Sequence, residues 1–396
     1  MTVREATRPT TQALRFIVLL GVVSLAADMT YEGARSVIGP FLGVLGAGAV
    51  VVATTSGLGE LAGYGLRAVS GYLSDRTGRY WAVTGVGYAV NLLAVPLLAL
   101  AGRWEVAAGL IVAERIGKAV RTPARDAMLS HAAAAVGRGW GFGLHEALDQ
   151  VGAVAGPLLV AAILGAGGSY RTAFAVLAVP AVVALATLRL ARVSFPSPRR
   201  LEVETPSVPA GLPRGFWLYL AAAGLVAAGY ADFPLVAFHV ARNGLVAEAG
   251  IPALYALAMT VDALAALLVG RLFDRVGFPA LAGAVAAAAL FAPLVFLGAL
   301  PAVLAGVALW GVGMGAQESS MRAAVAVMVG PQRRGAAFGL FHAWYGLTWF
   351  AGSALMGVLY ETSPAHAAAF SLGAQAAAVP LLVAAARADG RPRRPA

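Results

Sequence analysis

Ionisable residues sit inside long apolar runs of this chain, and their spacing groups them on single helix faces. Asp28, Glu32 and Arg35 follow intervals of four and three, which puts all three on one face of a helix. Asp28 lies deepest in its run and has no cation at matching spacing within it. It therefore reads as a carboxylate able to take up and release a proton. A desolvated carboxylate can be pushed towards a neutral-range pKa, which proton-coupled chemistry requires. Glu32 and Arg35 read either as a structural ion pair or as part of the same chemistry. A second stripe, Glu114, Lys118, Arg121 and Arg125, follows a 4-3-4 spacing, with Arg115 and Asp126 beside it. Lys118 is the single lysine among 29 basic residues. Lysine can lose its proton when desolvated and arginine effectively cannot, so Lys118 is a candidate for solute or proton handling. The plainer alternative is that it neutralises Glu114 or a carboxylate on the following run.

Further groups complete the set. Glu60 and Arg67, seven apart, share a face, and Arg67 reads equally as a support for the charged turn that follows it. His145 and Asp149 are four apart and share a face with Gly152 and Gly156, while Glu146 points roughly 100° away. Towards the C-terminus the charges thin out to Asp232, Asp262, Glu318 and Arg322, and His342, Trp344 and Tyr345 bring rings instead. The expectation is a cavity charged on its N-terminal wall and aromatic on its C-terminal wall, able to stack an organic solute. Packing is the competing reading of the Trp344–Tyr345 pair.

The elements that carry these residues follow from composition. The 396 residues are 60% hydrophobic and 12% charged, with a mean hydropathy of +0.78. A soluble domain of this size needs more charge to cover its surface. About twelve apolar stretches are each long enough to cross a bilayer as a helix, near 14–42, 49–73, 80–101, 104–129, 139–166, 171–193, 215–241, 249–273, 279–300, 302–329, 335–360 and 364–386. The fold expected is an all-α membrane protein. The first stretch is too long for a signal peptide and lacks a small-residue cleavage site, so it reads as a span that stays.

Net charge is +10, yet its distribution argues against nucleic acid as a partner. With about twelve spans, the arginines at 4, 8, 15, 76, 79, 138, 189, 192, 199, 200, 214, 271, 275, 333, 334 and in the tail all fall on one side; Arg103, Arg171 and Arg242 fall on the other. This is the positive-inside bias, and it places both termini in the cytoplasm of a plasma (inner) membrane protein surrounded by lipid. No cysteine is present, which excludes disulfides and thiolate metal sites. The five histidines show no ligand spacing, so no metal or other cofactor is expected, and no Walker-type phosphate loop argues for an ATP-driven pump.

Two phrases recur half a chain apart. Gly71-Tyr-Leu-Ser-Asp75-Arg76-Thr-Gly78-Arg79 returns as Gly270-Arg-Leu-Phe-Asp274-Arg275-Val-Gly277, each after a long apolar run. Arg138-Gly-Trp-Gly-Phe-Gly-Leu-His-Glu-Ala aligns with Arg334-Gly-Ala-Ala-Phe-Gly-Leu-Phe-His-Ala, and without a gap Gly156 falls opposite Gly352 and His342 opposite Glu146. The chain reads as an internal duplication, an N-terminal bundle over 1–193 and a C-terminal bundle over 215–396, joined by a proline-rich linker over 194–214.

On these motifs the chain resembles the major facilitator superfamily over essentially its whole length. The resemblance implies twelve transmembrane helices in two pseudo-symmetric six-helix bundles. It also implies that Asp75, Arg76 and Arg79, framed by Gly71 and Gly78, latch one conformation. Gly270, Asp274 and Arg275 form a second copy, in which Phe278 stands where the last basic residue would. Gly152-Ala-Val-Ala-Gly156-Pro157 is similar to the family's antiporter-associated motif, and Arg115 to its proton-linked arginine. Physically, Gly152 and Gly156 form a small-residue face for close helix approach, and Pro157 a pliable point. Pro123 is expected to end the helix that carries Lys118.

The function expected is secondary active transport of a small organic solute by alternating access, coupled to protons and directed outward, by a monomer and without enzymatic chemistry. The alternative is proton- or anion-coupled uptake or exchange of an organic anion, drawn to the basic stripe.

Overall fold

The structure, a computed structural model, describes residues 3–136, 138–196, 212–329 and 334–388. All regular elements among them are helices, as a lipid solvent demands, because only internal bonding satisfies the backbone there. The N-terminal elements are α1 (Val3–Val44), α2 (Ala49–Thr77), α3 (Tyr80–Leu97), α4 (Trp104–Val136), α5 (Arg138–Gly165), α6 (Tyr170–Val176) and α7 (Ala178–Ser194). The C-terminal ones are α8 (Arg214–Gly229), α9 (Phe233–Arg242), α10 (Gly250–Val276), α11 (Phe278–Ala288), α12 (Phe291–Leu297), α13 (Leu300–Ala316), α14 (Arg322–Met328), α15 (Arg334–Thr362) and α16 (Pro364–Ala388). A π-helical turn, Gln317–Met321, joins α13 to α14. Among the described residues nine helical stretches are long and apolar enough to cross a membrane. The linker over 197–211 lies outside the described residues.

The chain forms two compact units, residues 1–35 with 65–206 and residues 36–64 with 207–396. The boundary between them therefore falls within α1 and α2 as well as in the linker.

In the first unit glycines set the helix spacing. A side chain at Gly152 would strike the Leu25 carbonyl, and one at Gly156 would strike the Met29 carbonyl and come within 2.9 Å of the Gly33 nitrogen. The α1–α5 crossing is thus backbone against backbone, the close approach that small residues permit. Gly87 of α3 and Gly117 of α4 make a second such crossing, with Gly87 set against the Arg121 backbone nitrogen.

The expected break at Pro123 does not occur, and α4 runs through it to Val136. A helical proline leaves the carbonyl four residues back without its donor. Here that carbonyl, of Ala119, accepts the Ser70 hydroxyl of α2 at 3.0 Å. The charged phrase after Gly71 also differs from expectation. It is helical to Thr77, and the chain turns only at Gly78, whose φ of +65° suits glycine.

The second unit repeats the logic. A side chain at Gly352 of α15 would overlap the Ala228 backbone of α8. The offset that relates Gly71 to Gly270 also relates Met29 to Ala228, so Gly352 meets α8 at the position matching the one where Gly156 meets α1. Residues 36–64 belong here because α1 and α2 pack on C-terminal helices: Gly39 meets Pro234 and Phe238, and a side chain at Gly57 would come within 2.8 Å of the Ser353 Cβ. Beside them, the Glu361 carboxylate caps the start of α2, accepting the Ala49 N–H at 2.6 Å, and lies 3.7 Å from Arg242.

Candidate functional site

The glycine crossing brings α1 and α5 together, and α4 closes on both. Asp28 is buried, and the Tyr31 hydroxyl donates to its carboxylate. Asp149, Lys118, Glu32 and Arg121 all lie close enough to act electrostatically on Asp28. Lys118 pairs with Glu32 at 3.5 Å, and its ammonium sits 4.0 Å from the centre of the Tyr31 ring. Its side chain remains 23% exposed, which leaves a route to it. Arg121 is 0% exposed, its guanidinium 4.2 Å from the centre of the Tyr88 ring and 5.6 Å from that of Tyr31. Among the described residues none of its three side-chain nitrogens has a hydrogen-bond acceptor, and Asp149 Oδ1 and His145 Nε2 likewise lack partners. Arg125 completes the group, bonded to Asp126 at 2.8 Å and to Ser24 of α1 at 3.1 Å.

The pairings differ from the plain alternatives read from sequence. Glu114 takes Arg115 at 3.3 Å and the Asn91 amide at 2.6 Å, which leaves Lys118 for Glu32 on α1. Arg115 therefore sits with Glu114 and Asn91, and Lys118, Glu32 and Arg35 also act electrostatically on Glu114. Glu146 is exposed and lies off the α5 face that meets α1. Tyr31 and Tyr88 were not among the candidate residues. Tyr31 had a signal, since it stands three positions after Asp28 and so shares its face; Tyr88 had none.

In the second unit the aromatic residues form their own group. Tyr64 stacks on His342 with ring centres 5.5 Å apart and meets Tyr345 edge-on at 5.3 Å. Tyr345 donates its hydroxyl to Gln317, at the start of the π-helical turn. Glu60, one turn before Tyr64, acts electrostatically on Tyr345. Trp344 is not brought into this group. Its indole N–H donates to the Leu220 carbonyl at 3.0 Å, and its ring packs against Gly224. Asp232 caps α9 through the Phe233 N–H at 3.1 Å.

The turn candidates are only partly visible. Gly71 lies against Pro123, Arg76 and Arg79 are exposed, and the side chain of Asp75 lies outside the described residues. Gly270 faces Ser319, Asp274 and Arg275 are exposed, and Gly277 turns the chain with φ +72°. Among the described residues no group of three acidic or histidine side chains is placed to hold a metal ion.

A buried, mixed-charge cluster among apolar helices is thus the arrangement that comparisons with known proteins have to account for. The family model described as Major Facilitator Superfamily matches residues 20–353, and the chain belongs to that family. An uncharacterized protein of Mycobacterium tuberculosis is 45% identical over 366 residues, covering 90% of each chain. An uncharacterized MFS-type transporter of Methanocaldococcus jannaschii is 24% identical over 356 residues, covering 88% of this chain and 89% of its own. Among solved structures, the nucleoside transporter NupG shares the fold with a TM-score of 0.75 at 12% identity, covering 94% of this chain and 99% of its own. The chain is a multi-pass membrane transporter of small molecules and not an enzyme.

Proposed function

We propose that the chain exports a small organic solute in exchange for protons, with Asp28 as the proton-carrying carboxylate. The observation that carries this reading is the buried Asp28–Tyr31 pair, set among Asp149, Glu32, Lys118 and Arg121. Adding one proton to Asp28 changes the formal charge of that enclosed group by one. In a low-dielectric setting such a change is large enough to alter which helix packing is favoured. Solute entering from the cytoplasm displaces the proton, and reprotonation from the opposite side resets the carrier. The paired crossings at Gly156 and Gly352 support twelve spans in two six-helix halves, divided at 194–214, that rock as a monomer about the midplane. The arginine distribution supports a plasma (inner) membrane orientation with both termini cytoplasmic.

One observation favours the second reading, uptake or exchange of an organic anion: the three Arg121 nitrogens without an acceptor among the described residues. Arg121 is nevertheless enclosed by Tyr88 and Tyr31, and α4's accessible cation, Lys118, is already paired with Glu32. Proteoliposomes under an imposed pH gradient separate the readings, using a panel of organic cations and anions. Solute movement opposite to the proton gradient is expected. Movement with the gradient contradicts export, and indifference to pH contradicts proton coupling.

A further inference from the structure

The glycine contacts between α1 and α5 order the ionisable groups along that pair of helices. A side chain at Gly21 would strike the Leu148 side chain, one at Gly152 the Leu25 carbonyl and one at Gly156 the Met29 carbonyl. All three contacts share one sequence offset, so the two helices run parallel. Carried on, that offset sets Asp149 level with Val22 and His145 level with Val18. At about 1.5 Å of rise per residue, Asp149 stands about 9 Å from the level of Asp28, and His145 about 6 Å further on. Both steps lead towards the start of α5, its cytoplasmic end in the reading above.

Helix α4 runs the other way beside them. Lys118 pairs with Glu32 and Arg125 with Ser24, so Arg121, between them, falls level with Asp28 and Tyr31. Arg125 also holds Asp126, whose side chain is 43% exposed and brings this end of the group to solvent. From the middle of the unit outward to that solvent, the order is therefore Asp28, Asp149, His145 and Asp126.

Neighbouring members of that series are in contact electrostatically. Of the charges around Asp28, Asp149 acts on it most strongly. Asp149 also acts on Tyr31 and Arg125. His145 is faced by Arg125 and Arg121 with positive charge and by Asp149 and Asp126 with negative. Being four apart on α5, Asp149 and His145 share a face and come within reach of each other by side-chain rotation. Asp149 Oδ1 and His145 Nε2 are nevertheless both buried, and neither has a hydrogen-bond partner among the described residues. Protein interiors seldom leave polar atoms so, and each instance calls for a reason. Proton traffic supplies one, because a neutral imidazole can take a proton on one nitrogen and give one up from the other.

We propose that Asp149 and His145 carry the Asp28 proton to the cytoplasm. The proton leaves the Asp28 carboxyl for the Asp149 carboxylate, crossing the longer step through water. It then passes to one nitrogen of His145 while the other nitrogen releases its own proton to solvent beside Asp126. The imidazole ends neutral, and Asp28 and Asp149 both end as carboxylates. The proposal rests on the reading of Asp28 as the proton carrier and deepens it, adding His145 to the residues that serve coupling.

The test follows protonation of Asp28 in the full chain in lipid nanodiscs, with protons released by flash photolysis of o-nitrobenzaldehyde. Time-resolved infrared absorption reads the carbonyl stretch of the protonated Asp28 carboxyl, assigned by its loss in Asp28→Asn. His145→Gln and Asp149→Asn should each slow the rise of that band about tenfold or more, the low end of what a positioned proton-transfer group contributes. At acid saturation the band should match the parent's in both variants, which shows that the site around Asp28 is intact. Asp149→Glu keeps a carboxylate and should rise within about threefold of the parent. A parent-like rate in either His145→Gln or Asp149→Asn overturns the route, as does equal slowing in Asp149→Glu and Asp149→Asn, which would make Asp149 a packing residue. Those results leave Asp28 as the carrier, whereas the absence of any band lost in Asp28→Asn would remove the carrier reading itself.

Discussion

Substituting Gly156 by alanine tests the crossing that places Asp149 beside Asp28. The added Cβ would overlap the Met29 carbonyl oxygen and lie 2.9 Å from both the Met29 carbonyl carbon and the Gly33 nitrogen. These are backbone atoms of α1, so relief requires the helix itself to move. Overpacking of this kind costs about 1–3 kcal/mol. Alanine returns up to about 1 kcal/mol through helix propensity. The net expectation is a loss of about 1–2 kcal/mol. Gly109 of α4 provides the control, because nothing lies within 4 Å of its added Cβ and only the propensity gain applies. Reversible unfolding of both variants in mixed micelles measures the difference directly. Gly156→Ala should unfold earlier than the parent and Gly109→Ala at the same point or later. If Gly156→Ala proves as stable as Gly109→Ala, α1 and α5 do not touch at Met29, and the geometry of the charge cluster fails with them.

Other outcomes follow from single contacts. Trp344→Phe deletes the indole donor to Leu220, so it should cost about 1 kcal/mol of stability while solute flux is unchanged. Ser70→Ala strips the Ala119 carbonyl of its replacement donor at Pro123, and a loss of about 1–2 kcal/mol in unfolding is expected. Glu361→Ala removes the cap on α2 and the partner of Arg242. A cysteine placed at buried Thr55, in this chain without native cysteines, should then be labelled several-fold faster by an impermeant maleimide added from the face that bears Arg242.

Much of the architecture was legible because lipid permits few alternatives. Apolar run length marked the helices, and Gly152 with Gly156 marked a face for close helix approach. The charge stripe on α4 was equally visible, since 4-3-4 spacing fixes a face. Partners across helices were not. Lys118 finds Glu32 rather than Glu114 because Arg115 and Asn91 occupy Glu114, and such competition depends on how α1, α3 and α4 pack. Pro123 misled for a related reason: the donor that rescues its helix lies 49 residues away at Ser70. The aromatic group around Tyr64 hid in composition that reads as packing. Its members became a group only when α2 was found against α15.

Proton carriage by Asp28 is directly measurable. For the panel solute moved by the wild type, Asp28→Asn should retain solute-for-solute exchange across proteoliposomes at equal pH while pH-driven accumulation falls to background. Retained exchange establishes that the variant folds and rocks. Accumulation that persists in Asp28→Asn at the wild-type rate would show that another group carries the proton.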